Sequence, residues 1–599
     1  MRAVYVSLPT LVLMLATLLG SGSPQAQAPT VFAVQCASCH GPEGLGTAQG
    51  PALAMNQRVA EQSADQLAAY IQRGNPGAGM PSFADLPDSD RAALARYLLR
   101  LNVDTITKPP VAAPTRRAWG PPQPGDWRTY NGADSGNRYS PLKQITTLNV
   151  SRLKLQWVFP VQYFGLETTP LAADGVLYVT GPSQVFALDA VTGGQLWHYA
   201  RPPTSGLIGD ARLGTNRGVA LLRDKIFFVT DNAHLIALDR ATGKLLWETP
   251  MAAPGTTGQH LGGTVAPFIV HDTVVAGVAG GDRGIRGFVA AFAADTGAVV
   301  WRTWTIPRRS EPGGDTWQGP EPVTGGGGTW LTGSYDASSD TLYWATGNPF
   351  PNSDDSGRGG DNLYTNCVLA LNARTGTLKW HYQFTPHDVR DRDSNEPNVL
   401  VDTVYRGTRS QLLLHADRNG FFYVLDRTNG KVLLAKPFLR RVDWASSIGP
   451  DGRPVVKDPR GCPGDAANWS STAYSPQTRL YYFLALEECV GDRPGGYPDQ
   501  TGQRFLRAVN IDTGDVVWEV PQPGAARAKT WSGVLATAGG LVFYGRPNGG
   551  FTAVDERDGK TLWEFPTNVR MKASPMTFSV GGKQYVAVAA GPNILCFGL

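Results

Sequence analysis

The chain has 599 residues with 54 basic and 50 acidic side chains, a near balance that argues against nucleic acid or an anionic membrane surface as the main partner. Seventy glycines, 45 prolines and 42% hydrophobic residues exclude general disorder and suit a turn-rich β protein. The length admits two or more domains, although a closed ring of β-sheets can hold several hundred residues in one.

Residues 1–28 have the pattern of a cleavable export signal. Arg2 supplies a sparse positive start, LPTLVLMLATLLG an apolar core and Ala26-Gln27-Ala28 a small-x-small cleavage site. The apolar run is short for a membrane span, and no cysteine follows it where a lipoprotein would need one. The expected mature protein is periplasmic and soluble, not an integral membrane protein.

Next comes Cys36-Ala37-Ser38-Cys39-His40, a C-x-x-C-H pattern that points to covalent haem c. The two thiols would form thioethers to the porphyrin, and His40 falls where its ring can reach the iron. The adjoining histidine and the export signal weigh against a disulfide or a zinc site. A thioether suits the sixth ligand: Met80 in GAGMPSF is chosen over Met55 in PALAMNQ. Helical patterning in SADQLAAYIQRG and DSDRAALARYLLRLN brackets Met80, so residues 29–104 are expected to be a small all-α cytochrome c domain. The Pro-rich run TKPPVAAPTRRAWGPPQPG then sets a semi-rigid linker at 105–120, which would tether the haem near the next domain.

From residue 121 one unit repeats, Ala-x-Asp-x-x-Thr-Gly followed by Trp. It reads ALDAVTGGQLW to Trp197, ALDRATGKLLW to Trp247, AFAADTGAVVW to Trp301, ALNARTGTLKW to Trp380, AVNIDTGDVVW to Trp518 and AVDERDGKTLW to Trp563. Degenerate copies end at Trp157 and Leu434, making eight units 40 to 84 residues apart. Each is a strand, a tight turn and another strand. Such units cannot bury both faces alone, so they must stack, and eight close into an all-β eight-bladed propeller over 121–599. The recurring tryptophans are expected to be packing wedges between blades, not catalytic groups.

Two polar segments interrupt the repeats, GNPFPNSDDSGRGGDNLYTN and TPHDVRDRDSNEPNVL. With the repeats they resemble the quinoprotein alcohol dehydrogenases, which carry pyrroloquinoline quinone (PQQ) at the hub of an eight-bladed propeller; the likeness covers nearly all of 121–599. The fused amino-terminal cytochrome would make the chain a quinohaemoprotein of that family. The resemblance implies a hard metal ion with oxygen ligands, namely Asn348 in ATGNP, Asp391 in PHDVRD and Asp282 in GGDRGIRG, where the family usually has Glu. Asp391 would also be the catalytic base. Asp393 matches an extra acid in members that use lanthanides, and its charge would favour a trivalent ion. It could instead be a structural partner of Arg390 or Arg392, so the metal stays open between calcium and a lanthanide.

By the same resemblance Arg418 in HADRNG lies near the reactive quinone carbonyls, Arg217 in TNRGVAL beside a PQQ carboxylate, and Trp330 flat against the quinone. Glu167, Thr264, Asn468 and Trp531 are further cofactor contacts. Two departures stand out: Ala211-Arg212 replaces a pair of adjacent cysteines that caps PQQ in many relatives, and Ala279 replaces a serine. Cys462 and Cys489 match a disulfide of some relatives, while Cys367 and Cys596 are read as buried thiols. The implied activity is oxidation of an alcohol to an aldehyde or ketone, with electrons passing to the haem on His40 and on to an external acceptor such as a soluble cytochrome. Alternatives are a PQQ-dependent sugar or polymer-alcohol dehydrogenase and a non-catalytic propeller scaffold. The scaffold would need neither the haem motif nor the set Asn348, Asp391 and Arg418.

Overall fold

The computed structural model describes residues 29–41, 44, 50–106 and 120–599, apart from short breaks at 52, 55, 57–58, 60–61, 121, 162, 164, 254–259, 321, 488, 490–502 and 524–531. The expected export signal, Met55, Trp531 and most of the linker therefore lie outside the described residues. The chain divides into two compact units, Met1–Pro110 and Val111–Leu599. Among the described residues no helix is long and apolar enough to cross a membrane.

The first unit is helical: α1 (Thr30–Gln35), α2 (Ala37–His40), α3 (Ala64–Arg73) and α4 (Asp88–Ile106). Ser63 begins α3 with a capping box, its hydroxyl accepting from the Gln66 amide while the Gln66 side chain accepts from the Ser63 amide. Phe32 of α1 meets Tyr97 of α4 edge-on at 5.0 Å. Leu67, Ile71, Leu94 and Leu98 complete the buried core around them.

The second unit is an eight-bladed propeller. Seven blades follow in order, spanning 171–200, 220–250, 268–304, 334–383, 399–437, 473–521 and 534–566. The eighth joins the two ends of the unit: Met576–Val580, Lys583–Ala590 and Asn593–Gly598 are completed by Lys154–Pro160, with Lys154 opposite Gly598. That borrowed strand explains the degenerate copy at Trp157, whose preceding turn belongs to no blade of its own. Tyr139–Ser140 adds a short parallel strand to the seventh blade.

The tryptophans wedge the blades together as expected. The indole Nε1 atoms of Trp157, Trp197, Trp247, Trp301, Trp380 and Trp518 each donate to a turn carbonyl of the next blade at 3.0–3.3 Å, and Trp563 donates to Leu153 at 3.1 Å. Under each of the first six rings lies the turn glycine of the neighbouring blade. Gly376, for example, has φ +71°, and a Cβ there would stand 2.5 Å from the Trp301 ring. Glycine is needed at this turn twice over, for its backbone and for its missing side chain. Where the fifth blade carries Leu434, Gly514 of the sixth meets Leu434 and Lys436 instead of an indole.

Candidate functional site

The predicted site residues of the propeller that the structure describes all sit in loops between strands. The loop 388–395, between the fourth and fifth blades, is organised by buried Asp388, whose carboxylate accepts from the amides of Arg390 at 2.9 Å and Arg392 at 2.7 Å. Clamped this way, Asp391 takes φ +61°, a left-handed conformation that side chains rarely adopt and that costs of order 1–3 kcal/mol. Its Oδ2 lies 3.5 Å from Arg418 Nη2, and its Oδ1 has no hydrogen-bond partner among the described residues.

Asp393 faces the same place. Its Oδ1 accepts from the Asn348 backbone amide at 2.8 Å, and its Oδ2 lies 3.5 Å from Arg418 Nη1. A Cβ on Gly347 would come within 2.3 Å of Asp393 Oδ1, so the glycine before Asn348 makes room for this carboxylate. Arg392 points elsewhere, to backbone carbonyls of Pro459 and Gly461, and the Arg390 side chain makes no ion pair with Asp393. The structural alternative for Asp393, a pair with Arg390 or Arg392, is therefore not what the fold builds.

Asp282 lies on the 3₁₀ turn Gly281–Arg283, entered from Gly280 at φ +115°. A side chain on Gly280 would strike the His260 carbonyl at 2.0 Å. Asp282 is the most exposed of the three acids, and its charge reaches both others. Burial first, with Asp282 and Asp393 adding, pushes the Asp391 carboxyl well above the usual range against the pull of Arg418. Burial and then Asp282 push Asp393 up to about 7, again opposed by Arg418. A third of the Asp391 side chain stays open to the hub, yet protein groups surround it closely enough for charge to dominate. Three carboxylates against one guanidinium, with an open carboxylate oxygen and Asn348 beside them, fit a hard cation.

Arg217 is held in a cage. Its Nη2 lies 2.8 Å from Glu167, its Nη1 donates to Thr264 Oγ1 at 2.9 Å, and its guanidinium lies over Trp330 at 4.9 Å and Trp469 at 4.8 Å. Trp330 Nε1 donates at 3.0 Å to the Asn395 amide oxygen, with that amide turned to suit its neighbours. Lys572 Nζ adds a second cation 3.6 Å from Glu167. Half-buried indoles beside fixed cations suit a flat, anionic ring system.

Asn468 reaches Asp465 Oδ1 at 3.2 Å, and the same oxygen lies 2.6 Å from Arg418 Nε. Buried Ala211 heads the space where a Gly262 side chain would stand, with Arg212 exposed beside it. Ala279 is bound to Gly262 through the backbone in both directions. The Cys462–Cys489 disulfide is formed, and Cys367 and Cys596 are buried free thiols.

Sequence reasoning missed Asp388, Asp465, Trp469 and Asn395. It also missed the buried cluster in which His415 Nε2 lies 3.1 Å from Asp417 and 3.8 Å from Glu396. Asp465 and Trp469 flank Asn468 in GDAANW, and His415 and Asp417 precede Arg418 in HADRNG, so inspecting motif neighbours would have found them.

In the helical unit, His40 Nδ1 lies 2.7 Å from the Pro51 carbonyl, which orients the ring and leaves Nε2 for a metal. Burial, with Cys39 adding, pushes the Cys36 thiol up to about 11. Neither Cys36 nor Cys39 is held in a disulfide. Half-buried Met80 pairs with Asn75 in an isolated bridge after α3. Two thiols and an oriented imidazole within one turn fit covalent haem.

Residues 127–435 and 505–586 match the family model described as glucose/ethanol/alcohol dehydrogenase, beta-propeller domain, which is a PQQ family. Residues 24–98 match cytochrome c oxidase, cbb3-type, subunit III. The quinoprotein alcohol dehydrogenase PedH of Pseudomonas putida is 36% identical over 76% of this chain and 84% of its own. The lanthanide-dependent methanol dehydrogenase of Methylacidiphilum fumariolicum is 35% identical over 78% and 85%. Among solved structures, the quinohemoprotein alcohol dehydrogenase of Comamonas testosteroni superposes with a TM-score of 0.73 at 30% identity, covering 89% of this chain and 84% of that one.

Proposed function

The chain belongs to the PQQ-dependent quinohaemoprotein alcohol dehydrogenases, and we propose that it oxidises its alcohol in the periplasm and passes the electrons through its own haem c to an external acceptor. The observation that carries this reading is the convergence of Asp391, Asp393, Asn348 and Arg418 on one point of the hub, facing the Arg217 cage.

When bound, PQQ supplies an electrophilic quinone that accepts two electrons, and the cation beside it increases that electrophilicity. Asn348, Asp391, Asp393 and Asp282 would hold the cation. Arg217, Glu167, Thr264, Trp330, Asn468 and Trp531 would hold the cofactor. Asp391 Oδ1, left without a hydrogen bond, is the atom that would take the proton from the substrate hydroxyl. Arg418 keeps a positive charge beside this carboxylate and would stabilise negative charge developing in the hub. Cys36, Cys39 and His40 would attach the haem, and Met80 would complete the iron. Because Asp393 points into the hub and not at Arg390 or Arg392, three carboxylates favour a trivalent ion over calcium. The Cys462–Cys489 disulfide and the export pattern both support an oxidising compartment. A panel of primary, secondary and polyhydric alcohols, run on PQQ-loaded protein with calcium and separately with lanthanum, tests the reading. Turnover of simple alcohols, with reduction of the haem, is expected; turnover of none would refute it.

A further inference from the structure

We propose that the loop 459–465 keeps the neighbouring arginines off the hub carboxylates, with Asp465 as the positioning residue that restrains Arg418. The proposal rests on the hub being a cation site.

Two of the guanidinium groups that could cancel Asp391 and Asp393 are engaged by this loop. Arg392 lies between them in sequence, and Arg418 faces them in space. A guanidinium facing two carboxylates normally closes to charge-assisted bonds of about 2.7–2.9 Å, which here would fill the place of an ion. Neither arginine does so. Arg392 donates instead to the carbonyls of Pro459 at 2.9 Å, Gly461 at 2.6 Å and Pro463 at 3.3 Å, and lies over Trp444 at 5.1 Å. Arg418 stands 3.5 Å from both Asp391 and Asp393, while its Nε approaches Asp465 at 2.6 Å. Both restraints come from one short stretch, closed at Cys462 by the disulfide to Cys489.

Asp465 is 2% exposed; its Oδ1 forms an ion pair with Arg418 Nε and accepts from Asn468 Nδ2 at 3.2 Å. One buried oxygen thus fixes a proposed catalytic residue and a proposed cofactor contact together. The charge of Asp465 is what makes the longer Arg418 contacts tolerable. Without it the guanidinium would move onto Asp391 and Asp393 and compete with the ion.

The test is terbium binding to cofactor-free protein, read by tryptophan-sensitised luminescence, with circular dichroism confirming the fold. Asp465→Asn keeps the size and the amide oxygen but removes the charge. Its terbium affinity is expected to fall by about tenfold or more, yet by less than about threefold in an Arg418→Gln background, where nothing is left to restrain. Equal losses in both backgrounds, or no loss in either, would overturn the proposal. Should Asp465→Asn not fold, Arg418→Gln alone decides: it should bind terbium at least as tightly as wild type, and weaker binding overturns the idea. If wild type binds no terbium, or Asp391→Asn binds it equally well, the cation site itself is wrong and both readings fall.

Discussion

At the rim of the propeller, blade after blade is joined by the same contact, an indole donating to a turn carbonyl and resting on a turn glycine. Among the described residues the hub shows no such repeated contact: Asp282, Asn348, Asp391 and Arg418 come from different loops, and each is held by its own partners. The rim spends its sequence on packing that any blade can supply. The hub gathers buried charge that is unfavourable unless something neutralises it. Changes at the rim should therefore be read in stability, and changes at the hub in chemistry.

Asp391→Asn should show the largest effect. It removes the proposed base and leaves Arg217 and Trp330 in place, so turnover should fall on the order of 100- to 10,000-fold with PQQ still bound. Steady-state rates on protein of measured cofactor content check this; near-normal turnover would sink the assignment. At the rim, Trp301→Ala should cost about 3–5 kcal/mol of propeller stability, measured as a lowered thermal midpoint, with turnover per loaded site retained. If turnover collapsed while stability held, the division between rim and hub would be wrong.

Asp393→Ala is expected to lower lanthanum-supported activity by about tenfold or more while sparing calcium-supported activity, since a trivalent ion depends more on each added charge. Parallel assays in the two metals decide it, and an unchanged ratio would return Asp393 to a structural role. The smallest effect belongs to Leu434→Trp, which restores the rim pattern at the fifth blade. Gly514 is already in place there, but Lys436 fills part of the space, so stability should move by less than about 1 kcal/mol in a denaturation series.

The rim was readable in the sequence because its physics recurs: the same turn, glycine and tryptophan appear at intervals that only stacked blades explain. Even its irregularities had structural reasons, Trp157 lying on a borrowed strand and Leu434 packing where an indole would stand. The hub was readable only through resemblance, because its residues come from loops without a common period. What resemblance did not supply was the support behind them. Asp388 clamps the Asp391 loop and Asp465 holds Arg418; both sit beside the matched positions, but their supporting contacts are made only by the fold. The burial that makes His415, Asp417 and Glu396 a cluster is likewise a property of the fold and not of any short segment.

The proposed chemistry of the hub depends most on a cation among its carboxylates. Anomalous diffraction from crystals grown with PQQ and lanthanum tests it directly. One dominant peak is predicted within about 2.3–2.7 Å of oxygens from Asn348, Asp391 and Asp393, with Asp282 closing the remaining side. A dominant peak at Glu396, His415 and Asp417, or none within coordinating reach of Asp391, would contradict the account.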